Sequence, residues 1–139
     1  MLASMKRGFQ AVGVLAAIAF VATGVYLYFR LADIAAANAS ARYSLRANHI
    51  YIIMSALVNL ALGLLPLPRS VGWRAVARRI GGPLVMLAPA LLLGAFVFEG
   101  PRPSPQRPLT SIGVLILAVG VILIVASARR TEPESVLSR

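Results

Sequence analysis

His49 is the one histidine of the chain, accompanied by four carboxylates and no cysteine. Disulfides, thiolate-bound metals, iron–sulfur clusters and cysteine nucleophiles all need the residue that is missing. The rest leaves little material for acid–base catalysis or a metal site. His49 could contact a ligand or hold a five-coordinate haem iron; a bis-histidine haem would take its second histidine from another subunit. The plainer alternative is an interfacial ring with a hydrogen-bond partner. Asp33 has Arg30 one helical turn away, and Glu99 lies close to Arg102, so both acids read as interfacial groups with basic neighbours. No catalytic residue, metal or cofactor is expected.

A second set of polar residues is more informative. Asn48, Ile52, Ser55, Asn59 and Gly63 recur at spacings of three or four and so share one face of a helix. Asn59 lies about 16 Å deeper than Asn48 at the helical rise. An unpaired amide in lipid is costly, so this face is expected to meet protein. Ser55, Asn59 and Gly63 form a small–polar–small row that suits close helix contact. The row is either a helix-contact or partner face, or the lining of a ligand or permeation path.

These residues sit in an apolar sequence. Hydrophobic residues make up 59% of the 139 and charged residues 13%, against about 25% charge in a soluble domain. Four stretches carry no charge: Gly8 to Phe29, Ile50 to Leu67, Ile80 to Phe98 and Ser111 to Ala128. A helix needs about 20 mainly apolar residues to cross a bilayer core, and all four qualify. A soluble bundle is disfavoured because these runs show no polar face. Continuous rather than alternating runs exclude strands. The first stretch continues past the small residues Ala17-Ile18-Ala19 to Tyr26-Leu27-Tyr28-Phe29, so it is read as a retained helix and not a cleaved signal peptide. The expected fold is all-α: one membrane domain, 1–139, a four-transmembrane-helix bundle with spans near 8–29, 48–67, 80–98 and 110–128.

The connections differ. Arg30 to Ala47 is rich in alanine, which favours helix beyond the lipid. Pro66 and Pro68 are expected to end the second helix. Gly81-Gly82-Pro83 reads as the start of the third, and Pro89 as a kink within it. Glu99 to Pro108 holds four prolines and reads as a stiff link. Gly13 with Ala17, and Gly113 with Gly120, leave grooves for neighbouring helices.

The net charge of +10 does not point to nucleic acid, because the arginines are spread over termini and loops. Nine cations lie on the side of the termini: Lys6, Arg7, Arg69, Arg74, Arg78, Arg79, Arg129, Arg130 and Arg139. The other five are Arg30, Arg42, Arg46, Arg102 and Arg107. The positive-inside rule then places both termini in the cytoplasm. Arg69, Arg74, Arg78 and Arg79 are expected to contact lipid headgroups.

Small four-span multidrug transporters resemble this chain in size, but they use a membrane-embedded glutamate in the first span, and Gly8 to Phe29 has none. Arg46-Ala47-Asn48-His49-Ile50-Tyr51, Gly72-Trp73-Arg74 and Arg107-Pro108-Leu109-Thr110 resemble a group of uncharacterised small four-helix bacterial membrane proteins. That resemblance carries no activity. With the Ala/Arg-rich composition, it implies a multi-pass protein of the bacterial inner membrane. The expected role is non-enzymatic: a structural, accessory or assembly subunit, with the lipid bilayer, other membrane subunits or a second copy as partners. The alternative is a small transporter or channel following the Asn59 face.

Reporter fusions check the orientation. Lys6, Arg74 and Arg139 are expected in the cytoplasm, with Ala37 and Ser104 outside. An external Arg74 would overturn the charge argument.

Overall fold

The computed structural model describes residues 2–37, 39–66, 71–100 and 106–128. Its helices are α1 (Leu2–Ala37), α2 (Ala39–Leu64), α3 (Trp73–Phe98) and α4 (Pro108–Ala128). All four are long and apolar enough to cross a membrane. Among the described residues there is no strand.

Helix length follows propensity more closely than hydropathy. α1 has 36 residues and α2 has 26, about 54 and 39 Å at the helical rise. Both exceed a hydrocarbon core of about 30 Å. α2 begins at Ala39, within the alanine-rich stretch expected to favour helix ahead of the second apolar run. Alanine, arginine and leucine are all good helix formers, so the charges of Arg42 and Arg46 end the apolar run without ending the helix. The second helix stops at Leu64, short of Pro66.

α3 requires a clearer correction. It begins at Trp73, not near Ile80, and Gly81-Gly82-Pro83 lies inside it. Gly72 sets the true start with a φ of 60°, a left-handed conformation that glycine adopts without a Cβ penalty. Its carbonyl accepts the N–H groups of Ala75 and Val76. The glycine pair has a packing role instead. A Cβ on Gly81 would stand 2.8 Å from the Gly120 carbonyl of α4, while one on Gly82 would stand 3.1 Å from Met5 Sδ of α1. Adjacent residues point about 100° apart on a helix, so one pair opens α3 toward two neighbours.

The helices form two hairpins, α1 with α2 and α3 with α4, joined through α2 and α3. α1 also reaches α3, and α4 touches α2, while the α1 and α4 backbones do not come close among the described residues. α2 and α3 are therefore the inner pair. Two apolar clusters fill the interior. Leu27, Leu45, Ile52, Leu92 and Phe96 pack toward the Glu99 end. Phe9, Leu62, Val85 and Ile124 pack toward the Trp73 end. Along α2, Ser55 and Asn59 lie between the residues that feed these clusters, and both are fully buried.

Glycine governs the close approaches. A Cβ on Gly120 would sit 2.9 Å from the Gly81 carbonyl and 2.7 Å from Val85 Cγ2. Gly94 has nothing within 4 Å of such a position. Gly120→Leu is therefore expected to destabilise the α3–α4 hairpin by about 1–3 kcal/mol through overpacking. Gly94→Ala should be neutral or stabilising by up to about 1 kcal/mol. Equilibrium unfolding in mixed micelles measures both, and equal effects would contradict the close crossing.

Candidate functional site

The polar row of α2 is buried along its length. Asn48, Ser55 and Asn59 are fully buried, and Gly63 is buried with them. The structure gives each a different neighbour. Asn48 faces the start of α4, Asn59 faces α3, and Gly63 faces α1. Ser55 turns back on its own helix, donating from Oγ to the Ile52 carbonyl at 2.8 Å.

Asn59 makes the central contact. Its Nδ2 donates to the Ser55 carbonyl at 2.9 Å and to the Val85 carbonyl at 3.2 Å. In an uninterrupted helix the Val85 carbonyl would accept the N–H four residues on. That residue is Pro89, inside α3, which has no N–H to give. The amide of α2 thus supplies the donor that α3 lacks. Asn59 Oδ1 is buried and has no partner among the described residues. The side chain acts as a two-proton donor to backbone.

A second network joins α2, α3 and α4 at the Glu99 end. Pro108 opens α4, a position where its missing N–H is not needed. The next two N–H groups, of Leu109 and Thr110, donate to Glu99 Oε1 and Oε2 at 2.5 and 3.0 Å. Glu99 follows the last turn of α3, so one carboxylate both caps α4 and closes the hairpin. A negative charge there also complements the helix dipole. Thr110 Oγ1 has one proton between two acceptors, Glu99 Oε2 at 2.7 Å and Asn48 Oδ1 at 3.0 Å. Arg107 Nη2 donates to Asn48 Oδ1 at 2.5 Å and to the Ser44 carbonyl at 3.1 Å. Desolvation pushes the Glu99 carboxyl up, but the bonds from Thr110 and Leu109 and the charge of Arg107 outweigh it and hold the group below its ordinary range. The cap is therefore complete above the usual carboxylate pKa and weakens as pH falls through the lowered one.

His49 lies against α1. Its ring stacks on Phe20, with centroids 4.1 Å apart and planes 14° apart. Nδ1 is 2.9 Å from Thr23 Oγ1. The Cε1–Nε2 edge passes over Gly24, whose absent Cβ makes the room. Among the described residues no three of His, Cys, Asp and Glu come together to hold a metal.

The four arginines read as headgroup contacts separate. Arg79 is exposed, and Arg74 lies 5.8 Å over the Trp73 ring. Arg78 differs from the expectation. It is buried in the α3–α4 interface, with Nε donating to Ser127 Oγ at 3.3 Å. Ser127 in turn donates to the Ile124 carbonyl. Arg78 and Ser127 thereby tie the first turns of α3 to the end of α4. Arg69 lies outside the described residues, as do Arg102 and the prolines 101, 103 and 105.

Sequence patterns did not reveal the network of Glu99, Arg107 and Thr110. Its one visible trace is Pro108, an N1 residue with an acid upstream. Gln10 and Thr23, polar side chains within the first charge-free run, belong to the separate contact of α1 with α2: Gln10 Nε2 donates to the Gly63 carbonyl at 3.3 Å, and Thr23 meets His49.

The pairing of Asn59 with Pro89 can be tested by a double-mutant cycle. Asn59→Leu is expected to destabilise the protein by about 0.6–2 kcal/mol. In a Pro89→Ala background the restored N–H can reach the Val85 carbonyl, so the same substitution should cost distinctly less. An identical cost in both backgrounds, by unfolding in mixed micelles, would show that the two residues are not coupled.

No protein-family model, curated protein or solved structure matches the chain, and its role is read from its own residues.

Proposed function

We propose that this chain is a non-enzymatic multi-pass protein of a bacterial inner (cytoplasmic) membrane, both termini in the cytoplasm. Its role is that of a structural, accessory or assembly subunit, held to other membrane proteins or to its own copies. One observation carries this reading: the buried amide protons of Asn59 go to helix carbonyls, one of them across to α3. The residue that sequence offers as a transport determinant is engaged in holding helices together. The outward sides of α1 and α4 support the same role. They expose Val14, Leu15, Ile18, Val21, Leu115, Ile122 and Val125, a surface for lipid or another apolar helix.

A transporter or channel along Asn59 is the second reading. It draws on Asn59 Oδ1, which has no partner among the described residues, an acceptor that a passing solute or water could use. Against it stand the apolar clusters on either side, which include Ile52, Leu62 and Val85.

Cross-linking in intact membranes, followed by purification of the full chain in mild detergent, separates the two. An accessory subunit is expected to be recovered at fixed stoichiometry in a larger complex or a defined oligomer, and Asn59→Leu, which loosens α2 from α3 inside the chain, should lower the stability of the recovered protein without preventing insertion. A solitary chain that moves solute in liposomes, and loses the activity in Asn59→Leu, would overturn the proposal.

A further inference from the structure

Among the described residues, surface grooves that run along the helices differ in chemistry, as three of them show. Two are aliphatic: one is lined by Val14, Ala17, Ile18, Val21, Ala22 and Leu60, the other by α1 and α3 residues that include Leu15, Met86 and Pro89. The third, of about 480 Å³, lies between the first turn of α3 and the last two turns of α4. Its walls are Trp73 and Arg74 on one side and Val121, Ile122, Val125 and Ala126 on the other. It combines a cationic, aromatic rim with an aliphatic trough.

The two parts follow from the helices that supply them. On α4, residues 121, 122, 125 and 126 recur as one helical stripe. On α3, Gly72 starts the helix so that an indole and a guanidinium emerge together, 5.8 Å apart. The Arg78–Ser127 bond below fixes the spacing of the two walls. Because Arg78 is turned inward, Arg74 is the guanidinium that lines the groove.

We propose that this groove seats one anionic glycerophospholipid, its phosphate on Arg74 and one acyl chain along Val121–Val125. A guanidinium binds phosphate oxygens in a forked geometry. Indole rings settle at the headgroup level of a bilayer. The trough accepts a chain of any lipid; the cation selects the anionic ones. A second copy docked symmetrically on this face would bring its own Arg74 to the same rim and add like charge, which disfavours that occupant. The proposal rests on the membrane reading of the helices and not on which leaflet holds the Trp73 end.

Trp73 is the chain's single tryptophan, so its fluorescence reports this groove alone. The full chain is placed in nanodiscs of phosphatidylcholine containing increasing phosphatidylglycerol with brominated acyl chains. The converse series uses brominated phosphatidylcholine in phosphatidylglycerol. Brominated phosphatidylglycerol is expected to quench Trp73 with about five-fold preference, the ratio one cation near a membrane surface provides, and the preference should fall with added salt. Arg74→Gln should lose it and Arg74→Lys should retain most of it. Equal quenching by the two lipids, or a preference unchanged in Arg74→Gln, would overturn the proposal. So would a Trp73 that neither lipid quenches but that becomes shielded as protein concentration rises, the mark of a second copy on the groove. The lipid outcomes leave the accessory-subunit reading untouched, and shielding by a second copy would agree with its self-association; that reading is decided by what is recovered with the chain.

Discussion

A buried backbone carbonyl that loses its partner is costly, and Pro89 takes such a partner from the buried Val85. The donor arrives from another helix, as the Nδ2 of Asn59. This exchange sits near the middle of α3, between the two apolar clusters, where α2 and α3 form the inner pair. The same economy recurs elsewhere. Gln10 answers the Gly63 carbonyl, Ser127 answers Arg78, and Glu99 answers the open N–H groups of α4. Polar side chains that look sparse in the sequence are placed where backbone or a neighbour needs them.

Packing supports these bonds by bringing backbones together. Gly13 admits Leu60, Gly63 admits Gln10, and Gly81 meets Gly120 across α3 and α4. Side-chain donors are short, and an amide reaches a neighbouring carbonyl only when the two helices lie close. The glycines therefore belong to the same device as the polar residues, though they make no bonds with side chains of their own.

The sequence made the helices legible because charge-free runs of bilayer length leave few alternatives. It located their ends poorly. Arg42, Arg46, Arg74 and Arg78 stop a hydropathy window but not a helix, so α2 and α3 begin well before their apolar runs. The contact face of α2 was legible from spacing alone, since Asn48, Ser55, Asn59 and Gly63 are all buried. Their partners were not, because one helical period says nothing about what lies opposite. The drift of that row around the helix is what sends Gly63 to α1 and Asn59 to α3. The cap at Glu99 was hidden for another reason: it joins residues on either side of a proline-rich sequence, where no periodicity operates. Arg78 shows the limit of counting cations, as one of four neighbouring arginines is withdrawn from the surface.

The proline-freed carbonyl also bears on the order in which the helices pair. α1 and α2 precede α3 in the chain, so the Asn59 amide is made before its acceptor exists. When α3 follows, Pro89 leaves the Val85 carbonyl without its regular donor, and α2 supplies one. Neither helix is at its best alone. Docking of the second hairpin is thus coupled to the presence of the first, and α2 serves as an internal template for the arrival of α3.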